Sequence, residues 1–233
     1  MPDTAQIVEP ARTALIKLPV PLPLISEFDP EEFLQRFGVP DLPLARTWIS
    51  AKLRSQGFKT EITNALFDVP RHVFAGTQWN IAYADLPIKV YGAWLPEQSY
   101  VARVVEVLET RWESPRVLEL GVETGYLSAV LSRMGARVTV VDSSQQQIDK
   151  ARVLWSKLGF EVQSRTCSAA IAVASVESDL IVVNASLERL PAYLRTLNVV
   201  APIVTADGSQ RLMAYRSDTV LDLGPCAAPR RKA

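Results

Sequence analysis

The apolar positions of this chain follow two rhythms that alternate through its second half. Val117 to Leu120, Arg137 to Val141, Asp179 to Val183 and Val199 to Val204 are short apolar runs bounded by Gly, Asp or Asn, the pattern of strands covered on both faces. Phe160 to Gln163 is a further short run. Between them the spacing turns helical: Leu127 to Met134 ends at Gly135, Gln145 to Leu158 is amphipathic and stops at Gly159, and Leu190-Pro191 opens another helix. Arg211 to Tyr215 and Val220 to Leu223 alternate as late strands and predict a hairpin at one edge. Strands and helices taking turns at this spacing predict an α/β domain with a doubly wound, mostly parallel sheet and antiparallel edge strands.

Upstream the helical rhythm dominates. Arg46 to Gly57, Lys59 to the residue before Pro70, and Tyr100 to about Thr110 predict helices, with a loop from Gly92 to Ser99 before the last of them. Residues 1–45 are different, because prolines recur at Leu18-Pro-Val-Pro-Leu-Pro-Leu24 and Val39-Pro-Asp-Leu-Pro43 and remove backbone donors. Only Asp29-Pro30-Glu31-Glu32 with Phe33, Leu34 and Phe37 reads as a short capped helix there. The arm is too apolar for a solvated linker, so it is expected to lie on the main domain or to join two subunits as a homodimer. The chain therefore divides into a Pro-rich arm (1–45), a domain of 46–223 split into 46–110 and a core of 111–223, and a tail of 224–233.

Charge narrows the partners. Lys+Arg and Asp+Glu both number 25, so no overall field draws nucleic acid or an anionic membrane. Arg230-Arg231-Lys232 is read as a solvated tail. No apolar run approaches the roughly 18 residues that span a bilayer, and the first residues lack a signal-peptide pattern, which makes the cytoplasm the expected location. Cys167 and Cys226 show no metal spacing. With His72 as the one histidine, neither a His-based metal site nor a Ser-His-Asp triad is expected.

The chemistry concentrates at Val117-Leu-Glu-Leu-Gly-Val-Glu-Thr-Gly-Tyr126, a buried strand running into a turn bracketed by Gly121 and Gly125 and then into a helix. Such a turn lets backbone approach a ligand at the carboxyl edge of a parallel sheet. A dinucleotide would put its pyrophosphate here, and the carboxylate of Glu123 opposes that. S-adenosylmethionine carries no phosphate and presents an ammonium and a sulfonium instead. Glu119 at the strand end is placed for the ammonium, and Asp142, about 20 residues on at the end of the next strand, for the ribose hydroxyls. The competing reading is an α/β domain whose acids merely cap helices.

From about Arg46 to Gln210 the sequence resembles the protein-L-isoaspartate O-methyltransferase family. The resemblance is carried by Val69-Pro-Arg-His-Val-Phe74, Ala82-Tyr-Ala-Asp-Leu-Pro-Ile88, Val117-Leu-Glu-Leu-Gly with Gly125-Tyr126, and Pro202 followed by Gly208-Ser-Gln-Arg-Leu212. It implies a Rossmann-like methyltransferase fold in which residues 46–110 form a helical lid and substrate loop. The implied cofactor is S-adenosylmethionine, held by Glu119, Gly121, Val122, Glu123, Gly125, Asp142, Cys167 and Asn184. The implied acceptor is a carboxylate on a peptide, protein or small molecule, held by Trp94, Leu95, Pro96 and Gln98 in the substrate loop, with Asp85 as a candidate catalytic or positioning residue. His72 is read as positioning the lid.

The departures from the family pattern matter as much. Its turn, Glu-Ile-Gly-Thr-Gly-Ser-Gly-Tyr, has a middle glycine where Glu123 stands. Its substrate loop, Gly-Gln-Thr-Ile-Ser-Gln-Pro-Tyr, aligns with Gly92 to Ser99, so Trp94 replaces a Thr and Pro96 a Ser. Its Gly-Asp-Gly near the adenine becomes Thr166-Cys167-Ser168, and a Gly-Gly becomes Val199-Val200. Methyl transfer to a carboxylate needs alignment and desolvation more than a base, so the scarcity of histidine does not argue against it. Pro96 removes a hydroxyl and an N–H from the acceptor site, which predicts an altered acceptor. A side chain at Glu123 turned inward is expected to obstruct the cofactor. The alternative is a degenerate methyltransferase fold kept as a scaffold or partner-binding protein.

Overall fold

The structure, a computed structural model, describes residues 42–109, 113–216 and 219–229. Residues 1–41 of the Pro-rich arm, its predicted capped helix and the basic tail lie outside the described residues; the arm's last residues, from Pro43, open the first helix, where a proline at the first turn costs no hydrogen bond. Three helices come first: α1 (Pro43–Ser55), α2 (Thr60–Asp68) and the single turn α3 (Arg71–Phe74). A kinked 3-10 stretch, Gly76–Ile81, follows. A hairpin of β1 (Ile88–Val90) and β2 (Ala93–Leu95) leads to α4 (Gln98–Glu109).

The core then alternates: β3 (Arg116–Leu120), α5 (Tyr126–Arg133), β4 (Arg137–Asp142), α6 (Gln145–Leu158), β5 (Gln163–Thr166), α7 (Ala169–Ser175), β6 (Leu180–Val183) and β7 (Val199–Val204). The hairpin of β8 (Gln210–Arg216) and β9 (Thr219–Pro225) closes it. The seven strands lie in the order β5-β4-β3-β6-β7-β8-β9, parallel from β5 to β7 and antiparallel at β8 and β9. From β3 the chain winds outward through β4 to β5, then returns to β6 on the other side of β3. Strand order reverses between β3 and β6, the place where open α/β sheets bind ligands beyond their carboxyl ends.

Strand alternation divides the core into two layers. Val117, Val138, Val140, Leu180 and Val182 face the layer holding α1, α2, α4, α5 and α6, while Leu118, Leu120, Val141, Ile181 and Val183 face the layer of Ala172 and Leu194. Period 2 carries Glu119 onto the face of Val117, beneath α5. That buried position decides its chemistry.

Three local expectations shift. The run Phe160 to Gln163 gives way to a strand at Gln163–Thr166, whose mostly exposed, polar Gln-Ser-Arg-Thr pairs only with β4 at the sheet edge and so carries no apolar alternation. The helix expected from Leu190-Pro191 is one 3-10 turn, Ala192–Leu194, because β7 begins at Val199 and leaves no room to propagate. Part of the expected loop Gly92 to Ser99 is strand, with Trp94 opposite Lys89 and Leu95 opposite Ile88. The helix Ala169–Ser175, capped by Ser168 Oγ on the Ile171 N–H, was not among the predicted elements.

Candidate active site

The turn after β3 is shaped by its glycines and by one residue that is not glycine. Gly121 and Gly125 have φ of 95° and 78°, and Glu123 between them has φ of 48°. Left-handed backbone costs an L-residue about 1–2 kcal/mol, which is why glycine suits this position. At Gly125 a Cβ would also lie 2.9 Å from the Ala151 Cβ and 3.0 Å from the Trp155 ring. The Trp155 indole N–H donates to the Gly125 carbonyl at 2.8 Å, fastening the turn to α6.

Around this turn lie two spaces of unequal size. A cavity of about 210 Å³ sits over the carboxyl ends of β3, β4 and β6, lined among others by Gly121, Asp142, Ser143, Cys167, Ser168 and Tyr193. Asp142 ends β4, and its two oxygens accept the N–H groups of Val122 (3.0 Å) and Ser144 (2.8 Å). Both carboxylate oxygens are thereby fixed by backbone in the wall of the cavity. Cys167 donates its N–H to the Asp142 carbonyl at 3.2 Å, and the Ser168 hydroxyl is used as the cap of α7.

On the other side of the turn only about 20 Å³ is open, room for a single water. Its walls include Trp94, Pro96, Tyr100, Glu119, Glu123, Thr124, Asn184 and Ala227 to Pro229. Glu123 is turned inward, 6% exposed, and its Oε2 accepts the Trp94 backbone N–H at 2.9 Å. Two buried hydroxyls at this wall, Tyr100 Oη and Thr124 Oγ1, have no protein partner. Polar atoms left this way mark where a ligand or water completes the site.

Glu119 is fully buried and its carboxylate is engaged by the protein: Ser128 Oγ donates at 2.6 Å from α5 and Asn184 Nδ2 at 2.6 Å from the end of β6. Asn184 also donates to the Gly121 carbonyl at 2.6 Å. Burial pushes the Glu119 carboxyl up to about 7, against the pull of those two donors, and the neighbouring Glu123 adds to the rise. Glu119 and Asn184 thus brace the turn from below and border the smaller space.

Of the predicted loop residues, Trp94 and Pro96 border the smaller space. Leu95 and Gln98 are buried completely, Gln98 donating to the Tyr126 hydroxyl at 3.3 Å. Asp85 borders neither space. It accepts the Ser99 N–H (2.9 Å) at the start of α4 and pairs with Lys52 (3.0 Å), with φ of 51°. The His72 Nδ1 lies 2.8 Å from the Tyr83 hydroxyl.

The sequence singled out no role for Arg71, although it stands in the Val-Pro-Arg-His motif. Its guanidinium is fully buried and donates to the carbonyls of Ala82, Leu86 (2.7 Å), Leu95 (3.4 Å) and Pro96 (2.8 Å). One side chain therefore fixes both ends of the β1–β2 hairpin. Ser128 and Ser186 were also missed, since a lone serine carries no motif, and Gln210 was quoted only as part of the Gly208 to Leu212 segment, with no role of its own. Among the described residues no group of three or more His, Cys, Asp or Glu is placed to hold a metal, and no helix is long and apolar enough to cross a membrane.

Two kinds of comparison bear on this site. Solved structures share the fold: a putative protein-L-isoaspartate O-methyltransferase from Plasmodium falciparum, in complex with S-adenosyl-L-homocysteine, superposes with a TM-score of 0.66 at 16% identity over 80% of this chain and 98% of its own. A second protein-L-isoaspartate O-methyltransferase gives 0.67 at 20% identity, over 81% and 66%. In sequence, the enzyme of that name from Desulfosudis oleivorans is 29% identical over 177 residues, covering 71% of this chain and 80% of the relative. The first of that name from Rhodopseudomonas palustris is 30% identical over 168 residues, 68% of each. With others, such as that from Hahella chejuensis (32% identity), the match spans about half of the relative's length, 52%. The family model for protein-L-isoaspartate (D-aspartate) O-methyltransferase matches residues 46–219, well over half of the sequence, and the chain belongs to that family.

Proposed function

We propose that this protein is an S-adenosylmethionine-dependent methyltransferase that methylates a carboxylate on a peptide, protein or small molecule, with an acceptor preference shifted from the isoaspartyl one. The observation that carries the reading is Asp142, held by the Val122 and Ser144 N–H groups at the edge of the 210 Å³ cavity at the switch point of the sheet. That is where an acid meets ribose hydroxyls in nucleotide-binding α/β folds. Family membership supports it, as does the S-adenosyl-L-homocysteine in the Plasmodium relative.

The nucleoside half of the cofactor fits the chain: Asp142 would accept from the ribose, and Cys167 to Ala169 with Tyr193 would flank the base. The amino-acid half meets a closed space, bordered by Glu119 and Glu123 with no basic side chain among its described walls. For that half to enter, Glu123 must release the Trp94 N–H and turn out. When bound, S-adenosylmethionine supplies an electrophilic methyl on a sulfonium. The chain's own work is to hold the acceptor loop, through Arg71 and Asp85, and to exclude water. An anionic acceptor needs no base.

A second reading, a scaffold that has lost catalysis, is favoured by the closed amino-acid end alone. Incubation with methyl-labelled S-adenosylmethionine, isoaspartyl peptide and unmodified peptides or proteins separates the two. The proposal expects transfer abolished by Asp142→Ala, with isoaspartyl turnover raised by Pro96→Ser; absence of any transfer favours the scaffold.

A further inference from the structure

The segment after β9 takes no part in the sheet, yet it is held at the site. Arg103 clamps the end of β9, from which the segment leads, through the carbonyls of Leu223 (3.1 Å) and Pro225 (2.7 Å). Beyond that, Cys226 donates its N–H to the Gln210 carbonyl at 3.0 Å. Ala228 donates to Gln210 Oε1 at 2.7 Å. The Pro229 carbonyl accepts from the N–H (2.9 Å) and hydroxyl (3.3 Å) of Ser186, which also takes a bond from Gln210 Nε2.

Every one of these contacts reads backbone. The side chains of the segment are a thiol at Cys226, packed against the core, then two methyl groups and a pyrrolidine ring, and residues 226–229 are partly or largely exposed. Beyond Cys226 little apolar area holds the segment, and a stretch held mainly by partly buried backbone hydrogen bonds opens locally before the core does. Ala227 to Pro229 nonetheless wall the same small space as Trp94, Pro96 and Glu123.

We propose that Gln210 and Ser186 form a docking groove for an extended polypeptide, and that residues 226–229 are its occupant in the same chain, a tethered competitor that must leave before an external peptide enters. This rests on reading residues 92–99 as the acceptor loop. The groove reads backbone and accepts small side chains, so it suits an extended acceptor segment of varied sequence. A tethered segment acts at an effective concentration on the order of millimolar, so a groove of ~100 μM affinity is masked about tenfold in the intact chain.

The test is fluorescence anisotropy without cofactor, using a labelled peptide of residues 224–229 carrying Cys226→Ser. The chain truncated after Pro225 is expected to bind it about tenfold more tightly than the full chain. If truncation abolishes the melting transition, full-length Ala228→Pro, which deletes the N–H given to Gln210 and restricts Ala227 before it, replaces it and is expected to bind at least threefold more tightly than wild type. Equal affinity for the released and intact chains, or no binding to either released form at about 1 mM, overturns the proposal. Because no cofactor is present, the outcome is independent of whether the protein transfers methyl groups.

Discussion

Glu123 accepts the Trp94 backbone N–H at 2.9 Å and so ties the turn after β3 to the loop expected to hold the acceptor, 29 residues away in sequence. The residue does this from a left-handed backbone that the family's glycine would adopt without cost. Glu123→Gly removes the carboxylate, the clasp and the strain together. It should leave the Trp94 amide exchanging with solvent at least tenfold faster, by hydrogen exchange, while α5 and α6 keep their protection.

Arg71 is a buried cation feeding four carbonyls around the β1–β2 hairpin. Burial lowers its pKa, opposed by the field of Tyr126, Asp85 and Glu97. Arg71→Ala strands those carbonyls at about 1–3 kcal/mol each where they stay dry, so a loss of at least about 3 kcal/mol is expected in urea titrations. Arg71→Lys should recover less than half of it, because an ammonium cannot reproduce the planar fork.

Glu119 gives the fold a pH dependence opposite to that of a salt-bridged acid. Its carboxyl is raised from 4.5 to about 7, so the folded state holds this proton more tightly than the unfolded chain. Stability from this group is therefore full below about pH 4.5, falls as pH rises towards 7 and levels off above it, by up to roughly 3 kcal/mol. Glu119→Gln should flatten that slope between pH 5 and 7 in thermal melts; an unchanged slope would mean that Glu119 is ionised in the fold throughout.

The sequence made the parallel core legible because β3, β4, β6 and β7 are buried on both faces and punctuated by Gly, Asp and Asn. It hid β5, whose Gln-Ser-Arg-Thr lies at a solvent edge, and the β1–β2 hairpin, whose three-residue strands are too short to show alternation. The place of Asp142 at the end of β4 was readable from spacing alone. The inward turn of Glu123 was not, since a single carboxylate does not reveal which way it points. Nor was the pinning of Cys226 to Pro229, which depends on Gln210 and Ser186 meeting them across the sheet edge.

Calorimetry with S-adenosylhomocysteine tests the central claim most directly. The claim is that a nucleoside site governed by Asp142 persists beside an amino-acid end closed by Glu123. Wild type should bind weakly, Glu123→Gly at least tenfold more tightly, and Asp142→Ala not measurably, with folding of each variant checked by its melt. No heat from wild type or Glu123→Gly at about 1 mM ligand, or binding indifferent to Asp142, would contradict it.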